Sequence, residues 1–234
     1  MNFLEGSFHI GRVFGINVRV HMLFVIWIAF QMLQAGADWK YELMFMLLLF
    51  GIVLVHEFGH CFGARAVGGY AQNFLMWPLG GLAYAHAPMR PWPQFVTVAC
   101  GPLVNVIFCL VSAIALFAGS GGNYIPTLLP WVSTPLLLRP FEEPAWFEYV
   151  HLFYYVNLWL LGFNLMPIYP LDGGQLLHTV LWPFLGLRQA TITACYIGLM
   201  GCGYFVYQWA TGERGSMLLF IAIFGGFTCW QQLQ

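Results

Sequence analysis

Apolar runs of about 20 residues recur along almost the whole of this 234-residue chain and constrain its fold more than any other feature. A helix of that length crosses roughly 30 Å of hydrocarbon. The residues are 60% hydrophobic and only 7% charged, whereas a soluble domain has roughly 25% charged residues. The pattern predicts an α-helical polytopic membrane protein with one domain over residues 1–234. Six spans are expected, at residues 20–33, 43–64, 95–118, 147–166, 190–210 and 217–230.

The few basic residues predict an orientation in the cell membrane. Six spans place both termini on one side, which carries Arg12, Arg19, Arg65, Arg90 and Arg188, while the other side carries Lys40, Arg139 and Arg214. The positive-inside rule therefore predicts cytoplasmic termini. The formal net charge is -1 and no basic stripe is present, which argues against a nucleic-acid partner and leaves the lipid bilayer as the expected environment.

Two segments have patterns that do not suit a spanning helix. Residues 16–21 alternate apolar and polar side chains, as a half-buried strand does. Residues 73–85 are apolar but are interrupted by Pro78, Gly80 and Gly81. At membrane depth such backbone must pair with another strand or line a cavity, so we expect a small β-sheet at the membrane edge. An extended substrate could pair with this segment by strand addition.

The second predicted span contains His56-Glu57-Phe58-Gly59-His60, which is an H-E-x-x-H motif. On a helix, the i, i+4 spacing places both imidazoles on one face, where they can share a zinc ion. Glu57 then lies beside the ion and can take a proton from the water that it binds. Ionisable groups at a helix centre cost about 2.5 to 3.5 kcal/mol each on insertion scales, which indicates a function for this cluster.

A catalytic zinc takes three protein ligands, so one more must come from elsewhere in the chain. The candidates in apolar surroundings are His151, Asp172 and His178, with Glu148 at a helix end. Asp172 follows two prolines that break the fourth helix and precedes two glycines that permit a tight turn. Broken helices are where membrane proteins build sites. An Asp in this position can equally be the N-cap of the next helix, so the residues alone leave both roles open.

Together with the N-L-M-P-I-Y-P-L-D-G-G sequence at residues 164–174, the H-E-F-G-H motif resembles the site-2 protease family of intramembrane zinc metalloproteases. The resemblance implies that Asp172 is the third ligand of one zinc ion per chain. Residues 101–105 are similar to the G-x-x-x-N element of that family, and Pro78-Leu79-Gly80-Gly81 resembles its membrane hairpin. The chain resembles the compact six-helix core, without PDZ or cystathionine-synthase-like domains.

The same resemblance implies supporting roles, near the metal or the substrate, for Asn105, Asn164, Pro167, Gly80 and Gly81. The alternative for the two asparagines is interhelical hydrogen bonding, which is worth only about 0.6 to 2 kcal/mol. The function implied is that of a zinc-dependent intramembrane endopeptidase. It would hydrolyse peptide bonds in or near transmembrane segments of membrane proteins, by metal-activated water with Glu57 as general base.

Three functions of other classes compete with this interpretation. An ion transporter could use a broken fourth helix, but the chain has no inverted repeat. A non-catalytic binder of membrane segments would have no need of the base Glu57. No local feature excludes a zinc hydrolase that acts on lipid, and only the family resemblance favours a peptide substrate.

Overall fold

The computed structural model describes residues 6–78, 80–129, 135–140, 143–212 and 216–234. Leu79 and Arg214, which contribute to two of the predictions above, lie outside the described residues. The described part of the chain is mainly helical. Its helices are α1 (Met22–Ala35), α2 (Trp39–Ala66), α3 (Pro91–Gly119), α4 (Phe147–Asn164), α5 (Asp172–Leu185), α6 (Leu187–Ala210) and α7 (Ser216–Leu233).

Each of the six predicted spans coincides largely with a helix, but residues 20–21 belong to β2 and α4 ends at Asn164, two residues before the predicted bound. By length and hydropathy, three stretches are able to cross a membrane: Met22–Ala66, Pro91–Gly119 and Leu187–Ala210, while the apolar Leu219–Leu233 is shorter. Among the described residues, α4 is not in this set, because its charged and amide side chains lower its hydropathy. A helical membrane protein with a small sheet is therefore confirmed. Helix length and hydropathy establish three candidate spans, so the six crossings stay a prediction.

Local signals explain several helix boundaries. Pro91 opens α3, where its missing N–H leaves no hydrogen bond unmade. Gly36 ends α1 at a φ of 56°, which favours glycine. The break between α4 and α5 contains Pro167 and Pro170, neither of which can donate an N–H to continue a helix.

A four-stranded sheet contains both segments that were predicted to be extended. Its strands are β1 (Ser7–Val13), β2 (Ile16–His21), β3 (Tyr70–Trp77) and β4 (Gly80–His86), in that spatial order. β2 runs parallel to β3, and the outer pairs are antiparallel. β1 was not predicted, because its mostly exposed residues lack a buried alternating face. A short second ladder joins β5 (Tyr124–Ile125) and β6 (Leu136–Leu137).

The sheet packs against α1 and α2 through an apolar core. Phe24 and Phe50 meet edge to face with ring centroids 4.2 Å apart, and Phe58 stacks on Phe74 of β3. The motif on α2 is therefore covered by the sheet on one side. On the other side of the molecule, α6 and α7 bury Ile168 and Tyr169 from the segment between α4 and α5. These contacts hold the broken segment in place.

Candidate metal centre

Three donor groups converge between α2 and α5. The Nε2 atoms of His56 and His60 are 3.1 Å apart. The Asp172 carboxylate approaches both, with Oδ2 3.0 Å from His56 Nε2 and Oδ1 3.3 Å from His60 Nε2. Ligands at tetrahedral angles around zinc, about 2.0 to 2.1 Å from the ion, lie about 3.3 to 3.4 Å from one another. The spacing and chemistry of these donors therefore fit a zinc ion.

The Asp172 side chain contacts the two histidines and does not cap α5. It is the first residue of α5, whose N-cap is Leu171, and no side chain caps this terminus. The capping alternative is therefore wrong. The other candidate ligands lie elsewhere: His151 packs edge to face on Tyr155, and His178 hydrogen-bonds to Thr191. Asp172 contacts His56 although the two residues are 116 positions apart in the sequence.

The second ring nitrogen of each histidine is held by α3. His60 Nδ1 donates to the Thr97 carbonyl at 3.0 Å, and His56 Nδ1 donates to Asn105 Oδ1 at 2.5 Å. A hydrogen on Nδ1 leaves a lone pair on Nε2, which is the form that binds a metal. Both imidazoles therefore present their lone pairs to the space shared with Asp172.

Glu57 lies beside this group. Its carboxylate accepts a hydrogen bond from the Ala83 N–H of β4 at 3.1 Å. Glu57, His56 and His60 offer donor atoms within 4.8 Å of one another, so Glu57 is itself a possible ligand by distance. The Asp172 oxygens lie 3.0 and 3.3 Å from the two imidazole nitrogens, which agrees with the prediction that Asp172 is the third ligand.

Glycines allow the backbone to approach this group closely. A Cβ at Gly101 of α3 would lie 2.3 Å from His60 Nε2 and 2.9 Å from His56 Nε2. A Cβ at Gly81 of β4 would lie 2.3 Å from Glu57 Cγ. At Gly59, four residues before Gly63 on α2, it would lie 2.4 Å from the Cys100 carbonyl oxygen. The spacing of Gly59 and Gly63 is a small-residue helix-packing signal that our sequence analysis missed.

The structure brings some of the predicted supporting residues to the site and leaves others outside it. Asn105 hydrogen-bonds to His56, Gly81 lies against Glu57, and Gly80 begins β4 at a φ of 132°. Asn164 ends α4, half-buried, and none of the described residues hydrogen-bonds to its side chain. Pro167 is exposed. The functional roles of these residues stay predictions.

Sequence reasoning also missed Asn157, which is fully buried in α4 and hydrogen-bonds to Asn105. The sequence signal that could have identified Asn157 was its spacing from Asn164. Asn157 precedes Asn164 by seven residues, about two helical turns, within an apolar stretch. An amide inside such a stretch is expected to find a partner across helices.

The fold and the donor group define a helical membrane protein in which two histidines and a carboxylate lie close enough to hold a metal ion. Residues 44–204 match the model of Peptidase family M50, which is more than half of the chain. The chain therefore belongs to peptidase family M50, and the predicted membership of the site-2 protease family is confirmed.

Relatives in this family have similar sequences over much of the chain. It is 28% identical over 197 residues to a zinc metalloprotease of Methanocaldococcus jannaschii, covering 82% of this chain and 50% of that protein. It is 27% identical over 166 residues to stage IV sporulation protein FB of Bacillus subtilis, covering 67% and 49%. The chain thus spans about half the length of these curated relatives.

A solved structure has a similar fold. The site-2 protease from Methanocaldococcus jannaschii aligns with a TM-score of 0.63 over 97% of this chain and 95% of that chain, at 24% identity. The helical arrangement and the small sheet therefore agree with a known architecture.

Proposed function

We propose that this chain is a zinc-dependent intramembrane endopeptidase that hydrolyses peptide bonds in or near transmembrane segments of membrane proteins. The observation that carries the proposal is the convergence of His56, His60 and Asp172, with the carboxylate of Glu57 beside them. His56, His60 and Asp172 would hold one zinc ion per chain. When bound, zinc polarises the scissile carbonyl and makes water more acidic.

Glu57 is the general base in this proposal. The Ala83 N–H fixes one carboxylate oxygen of Glu57, so the carboxylate stays beside the histidines and does not rotate away. Glu57 takes the proton from the water that attacks the peptide carbonyl and then gives it to the leaving nitrogen. No group of the chain needs to form a covalent bond to the substrate.

The position of β4 favours a peptide substrate over a lipid. Within the described residues β4 pairs with β3 alone, so it is an edge strand to which a peptide could add beyond the Ala83 N–H that already donates to Glu57. The same strand holds Glu57 through Ala83, which places an added peptide next to the base. An acyl chain has no backbone N–H and C=O groups that could hydrogen-bond to such an edge. The proposal requires the substrate helix to unwind, so replacing helix breakers near the cut by Ala or Leu should slow cleavage.

We also propose a single domain with six crossings, formed by α1, α2, α3, α4, α6 and α7, and with both termini in the cytoplasm. Arg65 lies in the last turn of α2, on the side that the positive-inside rule places in the cytoplasm. His60 precedes Arg65 by five residues, about 7.5 Å of helical rise, so water reaches the site by a short path from that side. A reporter fused after Gln234 should be active in the cytoplasm. Activity on the opposite side would refute the topology.

The decisive experiment compares the wild-type chain with Glu57→Gln. The glutamine keeps the size of the side chain and can still accept from Ala83, but it cannot act as a base. Proteomics of membrane fragments should reveal products cut inside apolar segments that are lost in Glu57→Gln, while both proteins retain one zinc per chain. Asp172→Asn should weaken zinc retention.

Other outcomes would support a rival function. Identical fragment patterns would remove the protease assignment. Glu57-dependent release of fatty acid, without peptide products, would favour the lipid hydrolase. Full zinc retention in Asp172→Asn would give the third-ligand role to another residue.

A further inference from the structure

Asn157 lies in the middle of α4 and is fully buried, although no motif in the sequence marks it. Its Oδ1 accepts a hydrogen bond from Asn105 Nδ2 at 3.0 Å, and its Nδ2 donates to the Phe153 carbonyl at 2.8 Å. Asn105 in turn contacts His56 Nδ1 through its own Oδ1. A continuous chain of hydrogen bonds therefore runs from the α4 backbone to an imidazole of the metal centre.

The direction of this chain is fixed at its far end. A backbone carbonyl can only accept, so the nitrogen of the Asn157 amide must face Phe153. The oxygen of Asn157 then faces Asn105, which must present its nitrogen. The oxygen of Asn105 is left facing His56, whose Nδ1 must carry the hydrogen. The orientation of one amide therefore determines the orientation of the next and, finally, the tautomer of the imidazole.

The geometry points to Asn157 as a positioning residue for the metal centre: through Asn105, it holds His56 in the tautomer with a lone pair on Nε2. The inference rests on the proposed zinc site and deepens it. His60 needs no such relay, because its Nδ1 donates directly to the backbone carbonyl of Thr97. The two histidines are thus held by the same chemistry, in one case directly and in the other through two side-chain amides.

The opposite orientation of the Asn105 amide shows what Asn157 prevents. If the Asn105 amide turned over, its nitrogen would face His56 Nδ1 and would favour the hydrogen on Nε2. That hydrogen would point at Asp172, 3.0 Å away, and would block metal binding. With an apolar residue at position 157, Asn105 loses the oxygen that holds its present orientation. Residues that orient metal ligands from outside the ligand set typically change metal affinity 10- to 100-fold.

The test is Asn157→Leu in the full-length protein, with zinc affinity measured by chelator competition. We expect zinc binding about tenfold weaker than wild type. The visible spectrum of the Co²⁺-loaded protein, which reports ligand geometry, should also change. Tyr154→Phe is the matched control, because it removes another buried hydrogen bond of α4, from the Tyr154 hydroxyl to the Thr127 carbonyl. The control should keep wild-type zinc affinity and the wild-type Co²⁺ spectrum.

Asn157→Asp distinguishes positioning from general support of the fold. An aspartate presents an accepting oxygen to Asn105 in either protonation state, so it preserves the orientation of that amide. We expect Asn157→Asp to bind zinc within about threefold of wild type. A weakening of about tenfold or more in Asn157→Asp would overturn the proposal. Because this criterion refers to the wild-type protein, it remains informative if the leucine variant does not fold.

A double variant checks that Asn157 acts through Asn105. In an Asn105→Ala background, Asn157→Leu should cause no further loss of zinc affinity, because the relay is already broken. Losses that multiply would refute the inference. Wild-type zinc affinity in Asn157→Leu would refute it too, but would leave the proposed function intact. Failure of the wild-type protein to bind stoichiometric zinc would instead refute the proposed function.

Discussion

Gly101→Ala should weaken zinc binding although it replaces none of the predicted ligands. The new Cβ would lie 2.3 Å from His60 Nε2, whereas ordinary van der Waals contact begins at 3.4 Å. The ring or the helix must therefore move by about 1.1 Å, the difference between these two distances. Metal sites tolerate deviations of about 0.2 Å in ligand distance. Moving α3 away would relieve the clash only by giving up its close approach to α2 at Gly59.

The expected result is at least a tenfold loss of zinc affinity, together with a destabilisation of about 1 to 3 kcal/mol from overpacking. Zinc per chain is measured by mass spectrometry after dialysis against a chelator, and stability by denaturant unfolding in detergent. Gly51→Ala is the control, because it adds the same methyl group to α2, where nothing lies within 4 Å. Wild-type zinc retention in Gly101→Ala would show that α3 does not approach the histidines as described.

The remaining predictions use the same close contacts. Gly81→Ala would place a Cβ 2.3 Å from Glu57 Cγ, so the base should be displaced and proteolysis should fall at least tenfold while zinc is retained. Gly11→Ala, in a strand position with nothing within 4 Å, is its control, and unchanged proteolysis in Gly81→Ala would count against the role of Glu57. Gly59→Ala would meet the Cys100 carbonyl oxygen at 2.4 Å and should destabilise the fold by about 1 to 3 kcal/mol, as measured by unfolding against Gly51→Ala. Equal stability of these two variants would contradict the α2–α3 contact.

Local sequence signals were sufficient for most of the helices and for half of the site. Continuous apolar runs predicted six of the seven described helices because burial in hydrocarbon acts on every residue of a span, whereas α5 was not predicted. The i, i+4 spacing of His56 and His60 predicted a shared ligand face because the helical period fixes it. The alternation of residues 16–21 predicted β2 with its observed bounds.

Other features depended on contacts between residues that are distant in sequence. The pattern of residues left Asp172 as either a ligand or a cap, and the packing of α5 against α3 brings its carboxylate to the two histidines. Its role as a metal ligand stays a prediction. The relay from Asn157, the hydrogen bond from β4 to Glu57 and the close approach at Gly101 have no local period that would mark them. The sequence by itself thus determined six of the seven described helices and which residues could bind a metal. The tertiary structure decided which of those residues meet, because that depends on how the helices pack and not on the period of any one of them.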